Sequence, residues 1–222
     1  METLFALASI VVIDIVLGGD NAILIALASK NLAVEQRKKA MFWGVIGAVG
    51  VRAALTTVAL YLLKIPLLQF AGGVLLVWIA LKLLLEEKQV ECESASCLSE
   101  AIKIIIVADV VMGIDNVIAI AGAAHGSVLM VVLGLAISVP IIVWGSTFIL
   151  KWMEKYPAIV YLGAGILAWT AGQMIASDPI IAREIGVYIP YLEWLLPLLV
   201  LIGVILGGFY GKKAANPQCK SQ

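Results

Sequence analysis

"VVIDIVLGGDNAI", residues 11–23, sets Asp14, Asp20 and Asn21 inside a run otherwise apolar enough to cross a membrane. A carboxylate at the centre of a membrane helix costs roughly 2.5–3.5 kcal/mol on insertion scales, so its presence there asks for a partner or a ligand. The stretch returns in the second half of the chain, where "DVVMGIDNVI" at 109–118 answers "DIVLGGDNAI" at 14–23. Asp14, Gly18, Asp20 and Asn21 recur as Asp109, Gly113, Asp115 and Asn116. The likeness continues downstream: "IPLLQFAGGVLLVWIALKLL" from Ile65 aligns without gaps to "YPAIVYLGAGILAWTAGQMI" from Tyr156, matching Pro66 to Pro157, Gly72 to Gly163 and Trp78 to Trp169.

Composition names the solvent of this repeat. Of 222 residues, 63% are hydrophobic and 14% charged, and the mean hydropathy is +1.07, which excludes an ordinary soluble domain. The formal net charge is zero and no nucleic-acid motif appears, so no nucleic-acid partner is expected. The opening "METLFALASI" has neither a basic n-region nor an A-x-A cleavage site and reads as a retained membrane segment. Cys92 and Cys97 form a C-x4-C pair without a nearby histidine, which reads as reduced cytosolic thiols rather than a metal clip.

A membrane helix needs about 20 apolar residues, and such windows fall at 3–28, 40–63, 66–85, 101–123, 127–150, 157–176 and 190–210. The expected fold is therefore an all-α polytopic membrane protein of seven transmembrane helices. Residues 1–85 form a first three-helix repeat, 86–100 a cytoplasmic linker, 101–177 a second repeat, and 178–222 a seventh helix with a cytoplasmic tail. Three is odd, so the second repeat enters from the opposite face and the halves are inverted, as in transporters whose site lies at the midplane between repeats. If the helices alternate, nearly all Lys and Arg collect on one side, with Lys64 and Arg183 as the exceptions on the other. Cytoplasmic loops hold such an excess, which puts the N-terminus outside a plasma (inner) membrane and the C-terminus in the cytoplasm.

The helical rise sets Asp14 near the depth of Asp115 and Asp20 near that of Asp109. Asp14 and Asn21 share a face, whereas Asp20 is rotated by about 100° from Asn21. An unwound turn at Gly18 and Gly19 would swing Asp20 inward and free backbone carbonyls; Ile114 in place of the second glycine predicts a milder break in the other copy. Gly44, Gly47, Gly72 and Gly73 read as helix-packing residues only. The oxygen donors suit Mg²⁺, Ca²⁺ or Mn²⁺. Met112 shares the stripe of Asp109 and Asn116, so its thioether is a candidate ligand that would favour Mn²⁺, against the simpler role of core filler. Arg52 aligns with Ile142, has no basic counterpart, and is expected to pair with one of the aspartates. His125 reads as a solvated loop residue, and Trp43, Trp78, Trp152, Trp169 and Trp194 as interfacial anchors.

The paired "GGDNAI" and "GIDNVI" segments, each on the first helix of a three-helix repeat with a long polar loop between copies, resemble the TerC family of integral membrane proteins. The resemblance covers helices one to six and more weakly the seventh. It implies manganese efflux or, in some branches, tellurite resistance or metal supply to secreted proteins. It also implies that Asp14, Asp20, Asn21, Asp109, Asp115 and Asn116 are the metal residues. The leading expectation is a secondary transporter that exports Mn²⁺, with Ca²⁺ within the reach of the same donors, in exchange for protons. The alternative is a metal-binding accessory protein of membrane insertion or secretion, with no transport cycle of its own. Homo-oligomers or secretion machinery are the protein partners to consider. No His or Ser constellation supports an enzyme.

Overall fold

The computed structural model describes residues 2–62, 65–85, 95–124, 127–186, 188–189 and 191–215. These form helices without a β-strand. The first apolar run divides into α1 (Glu2–Leu17) and α2 (Gly19–Ser29), and α3 (Val34–Leu62) and α4 (Leu68–Leu85) follow. The second half comprises α5 (Ala95–Ala123), α6 (Val128–Lys155), α7 (Ala158–Ser177), the short α8 (Pro179–Glu184) and α9 (Leu192–Ala215). Among the described residues five of these helices are long and apolar enough to cross a membrane, or six if the bent pair α1 and α2 forms one span. Helix α5 carries the remaining apolar window of the sequence, with Asp109 and Asp115 along it.

Helices α3 and α5 start before their apolar windows, and α6 and α9 run past the ends of theirs. Helix α3 starts at Val34 because "VEQRKKA" is itself a good helix former, and Arg37 in it donates to Leu32 O at 2.7 Å and pairs with Glu154 of α6. Helix α5 takes up residues 95–100 of the expected linker; the rest of that linker, with Cys92, lies outside the described residues, as does His125. Cys97 is disulfide-bonded, contrary to the reduced thiol expected: the redox compartment inferred from composition says nothing about local approach at a helix start. Helix α8 lies between the last two apolar windows. Asp178 caps it by accepting from Ile180 N at 3.0 Å, and accepts from Phe70 N in the first turn of α4 at 3.2 Å. One buried carboxylate thereby satisfies orphan donors of two helices.

The exterior is apolar and charged side chains are buried within, unlike a soluble domain. Trp144, Leu129 and Leu162 are 76%, 68% and 66% exposed, whereas Asp14 and Arg52 are 1% and 4% exposed. Where helices approach closely, glycines make the room. Helix α3 packs on α5 through Gly44, where a Cβ would come within 2.9 Å of Ile105. Helix α1 packs on α6 through Gly134, where a Cβ would meet Ile10 at 2.4 Å. Helices α4 and α7 pack on each other, with Gly73 against Ala171 O and Ile175. Helix α9 closes on α7, where Gly172 admits the backbone of Pro197.

Candidate metal-ion site

The repeated segments meet at one buried point. Helix α1 ends at Leu17, Gly18 has φ −97° and ψ 11°, and the axis turns by 51° into α2. The break expected at the glycine pair falls at Gly18, as a bend. Gly18 N–H donates to Asp14 O at 2.8 Å, and Gly18 O accepts from Asn21 N at 3.1 Å in a three-residue turn, so one helical ladder ends and the next begins there. A Cβ on Gly18 would stand 2.4 Å from Asp14 O, whereas one on Gly19 would meet nothing within 4 Å. The first glycine of the pair makes the bend and the second is spare. In the other copy α5 runs unbroken past Gly113, as the Ile114 substitution predicts.

Asp14 from α1, Asn21 from α2 and Asp109 from α5 line a single cavity of about 20 Å³. That is room for one water-sized body. Arg52 of α3 projects into the same place and forms ion pairs with Asp14 and Asp109 together. The sequence predicted one carboxylate partner for it; the structure gives two, one from each repeat. The guanidinium lies over Gly113, whose Cβ position is 3.4 Å from Arg52 Nε. Asn21 Nδ2 donates to Asp109 Oδ1 at 3.0 Å. Ser138 of α6 donates its hydroxyl to Asp14 Oδ2, with Leu135 O as a second acceptor at 3.2 Å. The remaining wall is apolar, from Leu24, Ile105, Leu135, Val139 and Ile142 among others.

Several buried polar atoms are left over. Asn21 Oδ1, Asp109 Oδ2 and Arg52 Nε have no hydrogen-bond partner among the described residues. Burying an oxygen acceptor unpaired costs on the order of 1–3 kcal/mol, and two beside one cavity are what a cation seeking hard oxygen ligands would use.

The other expected ligands lie elsewhere. Asp20 is half-buried on the α7 side, where its Oδ2 accepts from Thr170 Oγ1 at 3.4 Å and its Oδ1 is unpartnered. The bend at Gly18 does not bring Asp20 into the cavity that Asn21 lines. Asn116 is buried on α5 but does not line the cavity, and Met112 packs in the main apolar core. The side chain of Asp115 lies outside the described residues. No group of three His, Cys, Asp or Glu side chains converges among the described residues. Ser138 and Thr170 were not singled out from sequence. The available signal was a lone hydroxyl in an apolar helix, which also serves packing.

An apolar exterior around a buried charged cavity defines an integral, multi-pass membrane protein. The chain matches the integral membrane protein TerC family over residues 1–216 and belongs to it. It is 44% identical to the membrane protein YjbE of Bacillus subtilis (strain 168) over 213 residues, covering 94% of this chain and 96% of that one. It is 24% identical to the inner membrane protein YgdQ of Escherichia coli (strain K12), covering 83% of each. No solved structure matches.

Proposed function

We propose that this chain is a secondary transporter that exports divalent metal ions, Mn²⁺ foremost, in exchange for protons. The observation that carries the proposal is the convergence of Asp14, Asn21 and Asp109 on one buried cavity with unpartnered oxygens. A structural polar cluster would be expected to close its own hydrogen bonds; this one leaves acceptors of the type that Mn²⁺ prefers. Membership of the TerC family supports the choice of manganese through the efflux role that the resemblance implies.

Inverted halves are supported by the packing. The first crossing packs on α6 and its counterpart α5 on α3, while α4 and α7 pack on each other. Exchanging the repeats turns the first two packings into each other and the third into itself. The Ile105 contact at Gly44 and the Ile10 contact at Gly134 exchange in the same way, at the spacings that relate Asp14 to Asp109 and Arg52 to Ile142. Seven crossings with the N-terminus outside follow from this arrangement and the Lys and Arg distribution. A tag at residue 94 is then cytoplasmic and one at residue 186 external; finding both on one side would remove the inversion.

Export against an inside-negative potential costs about 2.3 kcal/mol per charge per 100 mV, hence about 4.6 kcal/mol for a divalent ion. The sequence contains no P-loop, and protons carried back on the carboxylates that the metal vacates supply the energy. The test is cellular manganese in cells with and without the protein under manganese load. Lower manganese with the wild type, but not with Asp109→Asn at equal membrane abundance, is the expected result; equal manganese in all three would reject export.

A further inference from the structure

Arg52 occupies the place that an ion would need. Its guanidinium holds Asp14 and Asp109 at once, and the cavity that these residues share has only about 20 Å³ of free space. A cation bound there would face a fixed positive charge at contact distance in a low-dielectric surround, so the two repel unless one withdraws. The arginine belongs to one repeat only, since Ile142 stands at the equivalent position of α6 and lines the same cavity. Nor is it fully committed where it lies: Nε is buried without a partner, and the group rests over Gly113, which offers no side chain to hold it. Asn21 Oδ1 and Asp109 Oδ2 stay open while the guanidinium takes Asp109 Oδ1.

We infer that Arg52 is a tethered counter-cation that competes with the metal ion: it holds Asp14 and Asp109 when the ion is absent and leaves them when the ion binds. This rests on the proposed metal site and adds its regulation. The metal-free protein keeps its buried carboxylates paired, and the ion is held less tightly than the two carboxylates alone would hold it. A carrier gains from both, because the ion must be released and the emptied site must remain compatible with the membrane interior.

Mn²⁺ affinity measured by equilibrium dialysis on the purified full-length protein in detergent tests this, comparing wild type, Arg52→Gln, Arg52→Lys and Asp109→Asn. Arg52→Gln should bind Mn²⁺ about tenfold or more tightly than wild type, since it removes the competing charge. Arg52→Lys, whose point charge cannot bridge two carboxylates as a guanidinium does, should tighten binding by a smaller factor. It provides the deciding variant if Arg52→Gln does not fold. Loss of fold or loose packing weakens binding, so tightening is an outcome that a merely structural arginine does not give. Unchanged or weaker binding in the folded variant would overturn the inference, while Asp109→Asn losing binding would leave the metal site standing. Absence of Mn²⁺ binding to the wild type would overturn both.

Discussion

The two ends of the buried cluster carry the same aspartate but different company. Asp14, from the first repeat, takes a hydroxyl from Ser138 of α6, and Ile142 of that helix lines the cavity one turn further on. Asp109, from the second, lies with Arg52 of α3, and Ala48 lines the cavity one turn before it. In the alignment that pairs Arg52 with Ile142, Ala48 corresponds to Ser138. The two copies thus differ at the cavity: among the described residues, the first contributes a basic side chain, Arg52, and the second a neutral donor, Ser138. The backbones differ likewise, since Gly18 bends the first crossing whereas Gly113 sits in an unbroken helix and makes space for Arg52. Asp14 and Asp109, which correspond in the two copies of the repeated sequence, line one cavity, and the copies differ in the side chains around them.

The comparison breaks most severely if either aspartate is neutralised. Asp109→Asn removes one of two partners from a buried guanidinium, and unpairing a buried charge costs about 3–5 kcal/mol. Asp14→Asn should cost less, because Ser138 can still hydrogen-bond an amide oxygen there. Thermal unfolding in detergent, followed by tryptophan fluorescence, should rank wild type above Asp14→Asn and Asp14→Asn above Asp109→Asn. The reverse ranking would mean that Ser138 contributes nothing at Asp14.

The glycines sharpen the same contrast at lower cost. Gly18→Ala drives a Cβ into Asp14 O at 2.4 Å and should destabilise by about 1–3 kcal/mol. Gly113→Ala makes an ordinary contact with Arg52 at 3.4 Å, and Gly19→Ala meets nothing within 4 Å. Both should lie within about 1 kcal/mol of wild type, since Ala favours a helix over Gly. Equal loss from Gly18→Ala and Gly19→Ala would show that the bend is not made at Gly18.

Met112→Leu is the smallest change expected. Met112 lies in the apolar core away from the cavity, and Leu and Met are close in volume, so stability should fall by less than about 1.5 kcal/mol. Competition between Mn²⁺ and Ca²⁺ for the purified protein should give the same ratio in variant and wild type. A shift towards Ca²⁺ would return the thioether to the ligand set.

The helices and the repeat were legible because each rests on local signals: apolar runs of membrane length, polar steps between them, and the returning Asp, Gly and Asn spacing. The same spacing marked out Asp14, Asp20, Asn21, Asp109, Asp115 and Asn116, of which Asp14, Asn21 and Asp109 line one cavity. The double partnership of Arg52 was not legible, since whether a guanidinium reaches one carboxylate or two depends on how closely α3, α1 and α5 approach, which glycines at remote positions decide. Asp20 was read as turning inward because two glycines suggested an unwound turn. The structure breaks the helix at Gly18, but the cavity that Asn21 lines does not include Asp20, which lies against Thr170 instead. Asp178 lies in a connecting segment whose capping role appears only when α4 and α8 are side by side.

In the proposed function, Asp14 and Asp109 carry a divalent ion across the membrane. Purified protein in proteoliposomes, with Mn²⁺ outside and a pH gradient imposed across the bilayer, tests it most directly. Mn²⁺ uptake that follows the proton gradient in the wild type, collapses when the gradient is dissipated, and is absent in Asp109→Asn is the predicted result. Uptake indifferent to the gradient, or equal in wild type and Asp109→Asn, would contradict it.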